Sequence, residues 1–93
     1  MKKIDLNVNF KTLSGEDATD ESGANLKLSK TLANFIANGS TAEPAKFMGW
    51  ALKLMDTGVI EVDDIDKEKI IKFIDGHKQM TNILKYQLTE AVG

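Results

Sequence analysis

The side chains best suited to chemistry in this sequence are acids. Glu61, Asp63, Asp64, Asp66 and Glu68 form one run, and Glu16, Asp17, Asp20 and Glu21 form another. Carboxylates this close together can ligate a hard cation, but a calcium loop also needs a glycine at its sixth position and a closing glutamate. The later run has neither, and the earlier one has no glycine at the sixth position of its acid-rich start. Helix capping accounts for the later run, and a solvated turn for the earlier one.

His77 is the only histidine, and the chain has no cysteine that it could activate as a nucleophile. No acid stands at an instructive spacing from it. Placed beside Gly76 between two helical patterns, its imidazole suits the C-terminal end of a helix dipole better than acid–base catalysis. Ser14 and Gly15 do not form a G-x-S-x-G elbow, and the seven glycines do not cluster as a phosphate loop requires. No catalytic, metal-binding or cofactor-binding residue is expected, and the chain reads as a protein that is not an enzyme.

Composition limits the remaining classes. Ninety-three residues, 42% of them hydrophobic, make one domain over 1–93 with one core. Without cysteine, packing alone must hold that core, and a reducing compartment suits it. The segment Met1 to Asn9 begins with lysines, but Asp5, Asn7 and Asn9 interrupt any apolar run, so neither a secretory signal nor a membrane span is expected. The expected location is the cytoplasm. Net charge is −2 and every basic residue is lysine, scattered rather than massed, so the guanidinium fork that reads guanine and grips phosphate is missing.

These residues must be carried by a framework, and the hydrophobic pattern predicts an α+β fold. Ile4, Leu6, Val8 and Phe10 alternate with polar residues and predict a strand over 3–11, alone or in a long-looped hairpin with a return strand over 24–28. Residues 14–23 are polar or small and predict a mobile, solvated loop. A helix over 30–38 follows Ser29 as its cap and stops at Gly39; a second, over 42–56, opens after Thr41, carries Phe47, Trp50, Ala51, Leu54 and Met55 on one face, and stops at Gly58. Val59, Ile60 and Val62 predict a short extended segment over 59–62. Asp63 or Asp64 caps a third helix over 65–75, and Met80, Ile83, Leu84, Leu88 and Ala91 predict a fourth over 78–91.

The expected core is Leu32, Phe35, Ile36, Phe47, Trp50, Leu54, Ile70, Ile74, Ile83, Leu84 and Leu88. That core leaves the first strand as an open edge, so Ile4, Leu6 and Val8 are candidate interface residues. Gln87 falls among the apolar positions of the last helix with Tyr86 beside it, which adds both as a partly polar contact face. The expected partner is another protein or a second copy of the chain.

The order of parts also resembles that of small, mostly uncharacterised proteins encoded by phages and prophages of gut and related bacteria. The likeness runs through Lys11-Thr12-Leu13-Ser14-Gly15, Leu28-Ser29-Lys30-Thr31-Leu32-Ala33, Lys46-Phe47-Met48-Gly49-Trp50-Ala51-Leu52-Lys53-Leu54, Val62-Asp63-Asp64-Ile65-Asp66, Ile70-Ile71-Lys72-Phe73-Ile74 and Ile83-Leu84-Lys85-Tyr86-Gln87-Leu88. It is a likeness of layout and carries over no functional residue. It implies an accessory protein of a virus or mobile element that acts by binding, in the bacterial cytoplasm or on the virion. The alternative class is a small nucleic-acid-binding regulator that seats one short helix in the major groove, and the charge pattern argues against it.

Overall fold

The computed structural model describes residues 2–19 and 21–93, in the order β1 (Lys2–Asp5), α1 (Leu28–Ala37), α2 (Pro44–Asp56), β2 (Val59–Val62), α3 (Asp64–Gly76) and α4 (Asn82–Val92). Asp20, a member of the earlier acidic run, lies outside the described residues. The α+β class is as the sequence predicts.

β1 pairs antiparallel with β2, placing Ile4 opposite Ile60, and a bond from the Leu6 N–H to the Gly58 carbonyl (2.8 Å) extends the ladder. The first strand is thus much shorter than the expected 3–11. The Asp5 carboxylate accepts the Asn7 N–H at 2.9 Å, a local turn that draws the backbone out of the ladder. The strand's partner is the segment 59–62 rather than 24–28. What remains of the expected hairpin is one antiparallel bridge, Asn9 to Lys27.

The segment between β1 and α1 is tied rather than free. The Phe10 N–H donates to the Leu26 carbonyl (2.7 Å), the Leu26 N–H to Ala18 (2.9 Å) and the Ala18 N–H to Phe10 (2.8 Å), closing a ring of three backbone bonds. Bridges from Lys11 to Asp17 and from Thr19 to Asn25 flank the ring. Phe10, Ala18 and Leu26 are half-buried, as are Asn9 and Lys27 beside them, while Lys11, Asp17, Thr19 and Asn25 are exposed. The polar run 14–23 is thus held at its middle by Ala18, while its other described residues are exposed, as expected of a solvated loop.

Three helix starts differ from expectation for identifiable reasons. α1 begins at Leu28, so Ser29 is a buried member of its first turn rather than its cap, and the Ser29 N–H goes to the Leu6 carbonyl at 2.9 Å. α2 begins at Pro44, whose lack of an N–H costs nothing in a first turn, and this moves the cap from Thr41 to Glu43. α4 begins at Asn82 because Thr81 caps it, accepting the Leu84 N–H at 3.4 Å; Met80, in phase with the helix, is buried from the preceding turn. α3 starts as predicted, with Asp63 accepting the Asp66 N–H at 2.7 Å.

Gly58 ends α2 at a φ of +77°, and a Cβ there would lie 2.9 Å from Asn7 Cβ, so only glycine fits this corner between α2 and β2. The core gathers Ile4 and Leu6, the inner faces of α1 and α2, Ile60 and Val62, and Ile70, Ile74, Leu84 and Leu88 from the last two helices. Phe35 and Trp50, expected inside, pack against its edge and are half-buried.

Candidate interaction surface

Five of the acids that open the sequence argument, Asp17, Asp63, Asp64, Asp66 and Glu68, are taken up in ion pairs and caps. Asp63 caps α3, and Asp64 pairs with Lys2 at 3.0 Å; the hydrogen bond from Lys2 holds the Asp64 carboxyl below the usual carboxylate range. Asp66 pairs with Lys46 (2.8 Å), and Glu43 pairs with Lys69 (2.7 Å). Two longer contacts, Lys46 to Glu43 (3.9 Å) and Lys69 to Asp66 (4.0 Å), close a square of alternating charge joining the starts of α2 and α3. The hydrogen bond to Asp66 is the main reason the Lys46 ammonium titrates above its ordinary value. In the earlier run, Asp17 pairs with Lys11 and accepts from Asn9; the hydrogen bond from Lys11 chiefly lowers its pKa. Among the described residues, no group of three or more His, Asp or Glu side chains is placed to hold a metal ion.

His77 packs edge-on against Phe35 (ring centroids 4.8 Å apart) and Phe73 (5.5 Å), and its Nδ1 accepts the Gln79 N–H at 3.2 Å. The ring follows the end of α3 as expected. It joins an aromatic cluster that binds α1 to α3, and no carboxylate among the described residues hydrogen-bonds to it.

The expected interface residues separate into two groups. Ile4 and Leu6, at 2% and 0% exposure, face the core and offer nothing to a partner, because the alternation that marks them as one face of a strand turns that face inward. Gln87 is also committed within the chain: its Nε2 donates to the Lys11 carbonyl (2.7 Å) and its Oε1 accepts the Lys11 N–H (2.9 Å). Val8 (47% exposed) and Tyr86 (67%) do face solvent.

A more coherent apolar surface lies on α2. Phe47, Ala51 and Leu54 are buried, and the residue after each one, Met48, Leu52 and Met55, is exposed. One residue is about 100° of helical rotation, so the exposed row stands beside the buried row and the helix is apolar over roughly half its circumference. Leu52, at the middle, is 65% exposed. Two recesses between α1 and α2 flank the row. Met48 lines one of about 410 Å³ with Ile36 and Ala37; Met55 lines one of about 250 Å³ with Lys30 and Asp56. On the other side of α2, Trp50 lines a shallow depression of about 680 Å³ with Lys3, Lys53 and Glu61, while its ring packs edge-on against Phe47 at 4.8 Å.

Neither a family model, nor a curated protein, nor a solved structure matches the chain. No described helix is long and apolar enough to cross a membrane. Met55, expected on one face with Phe47, is instead 48% exposed and stands with Met48 and Leu52 in a row not expected from the sequence, although its spacing is there to see. The run Phe47 to Met55 holds two overlapping stripes, and the more bulky one, headed by Phe47 and Trp50, hides the other.

Proposed function

We propose that this chain is a non-catalytic protein-interaction module of the kind used in assembly, and that it binds through the outer face of α2. The observation that carries this reading is the row Met48, Leu52 and Met55, which leaves one side of a well-packed helix apolar and uncovered. A patch of this type on a small domain marks a contact surface. Further support comes from chemistry already accounted for: Asp63 serves as a cap, Asp17, Asp64 and Asp66 serve in ion pairs, and His77 serves as a packing ring. The resemblance of its layout to that of small phage and prophage proteins is what favours a setting in viral or mobile-element assembly, in the host cytoplasm or on the particle.

A photo-activatable residue at Leu52 tests the reading, with the same group at Lys72, an exposed position on α3, as the control. Illumination of cells making the two variants is expected to give protein adducts from position 52 well above those from position 72. Equal yields, or none from position 52, would overturn the proposal.

A further inference from the structure

Resting on that reading, we infer that the occupant of the α2 face is α2 of a second copy, packed antiparallel about a two-fold axis. Spacing is the first argument. Ala45, Met48, Leu52 and Met55 recur at intervals of three, four and three and are all exposed, which is the spacing of a two-helix seam. Gly49 borders this arc on the Ala45 side, and a Cβ built there would meet nothing within 4 Å, so the backbone beside the seam is open to another helix.

Charge then selects the orientation. Asp56 closes α2 at the end where the helix dipole disfavours a carboxylate, and it makes no ion pair among the described residues. The first turn of α2 carries no acid, and the carboxylate at its cap, Glu43, is already paired with Lys69 and Lys46. Antiparallel packing sets each Asp56 beside the positive N-terminal end of the other α2, a complementary contact made twice by symmetry. Parallel packing would instead bring the two Asp56 carboxylates together at two negative helix ends. The seam from Ala45 to Met55 is only about 15 Å long, so the association belongs to the small, weak class of interface, with dissociation constants on the order of micromolar to millimolar.

Because the chain contains no cysteine, disulfide trapping reads the geometry directly. In the antiparallel seam, position 45 of one copy lies beside position 55 of the other. The two copies of position 45 are then about 15 Å apart, well beyond the roughly 7 Å that a disulfide spans between Cα atoms. An equimolar mixture of the Ala45→Cys and Met55→Cys variants, oxidised gently, is expected to give the mixed dimer about fivefold or more above either self-dimer. Light scattering of the wild-type chain up to about 1 mM should show reversible dimer. Leu52→Glu should abolish it with an unchanged circular dichroism spectrum, and Asp56→Lys should weaken it about threefold to tenfold.

A self-disulfide at position 45 that outweighs the mixed dimer would overturn the antiparallel seam. A wild-type chain that stays monomeric across the range, or a Leu52→Glu variant that dimerises like wild type, would overturn self-pairing through α2. Photo-adducts to some other protein from position 52, with no disulfide between copies, would sink this inference and leave the interaction reading standing. Loss of both signals would sink both.

Discussion

The side-chain amide of Gln87 grips both backbone polar groups of Lys11, donating at 2.7 Å and accepting at 2.9 Å. The amide plays the part of a neighbouring strand for one residue and fastens the segment after β1 to α4. Each such bond contributes about 0.5–1.5 kcal/mol, so Gln87→Ala should lower stability by about 1–2 kcal/mol in urea titrations. Gln87→Glu keeps the acceptor but sets a carboxylate against the Lys11 carbonyl. Its deficit relative to wild type should narrow as pH falls through about 4, where the protonated acid can donate again.

The two glycines of α2 and its C-terminal corner should respond in opposite directions. Gly58→Ala forces a positive φ on a residue with a Cβ and drives that atom toward Asn7, and should cost about 1–3 kcal/mol. Gly49→Ala meets open space inside a helix and should stabilise the monomer by about 0.5–1 kcal/mol. Thermal unfolding of the two variants at low concentration checks both signs.

Acid should weaken the fold through Asp17 and Asp64, whose carboxyls the hydrogen bonds from Lys11 and Lys2 hold below their ordinary value. A carboxyl with a depressed native pKa contributes stability above its unfolded value, near 3.8, and loses it as pH falls through the lower native value. Asp64→Asn should therefore be less stable than wild type at pH 6, and the two should converge toward pH 2. A constant gap across that range would show that the Lys2–Asp64 pair has no part in the acid transition.

The two apolar rows of α2 and the core helices are distinguished by truncation. Leu88, with no exposed surface, should lose about 2–5 kcal/mol on replacement by alanine. Leu52→Ala should change monomer stability by no more than about 0.5 kcal/mol while reducing adducts at the α2 face. Guanidinium denaturation and solution mass together separate the effects.

The elements with local signals were the legible ones. Gly58 and Asp63 bracket β2 over 59–62 as expected, and the Asp63 cap places the start of α3. Starts that depend on a competition between neighbouring caps were displaced: Ser29 against the pull of the Leu6 carbonyl, Thr41 against Pro44, and Met80 against Thr81. The partner of β1 was not legible, because period-two alternation shows that Ile4 and Leu6 share a face without showing what covers it. The same gap misplaced the candidate surface. Val8 is exposed as the open-edge reading needs, and Tyr86 as a contact face on α4 needs, but Gln87 has a partner far along the chain that no spacing rule reveals.

The ring joining Phe10, Ala18 and Leu26 turns one long excursion into a miniature cloverleaf, with residues 11–17 and 19–25 as two leaves of equal length on a shared stem. Each leaf closes on its own, and lengthening one adds only the slow logarithmic cost of a larger loop. The tips at Ser14-Gly15 and Ser22-Gly23 are exposed. Either leaf is thus a place where foreign peptide can be spliced into the chain, while the stem residues, whose amides complete the ring, leave no room for a proline.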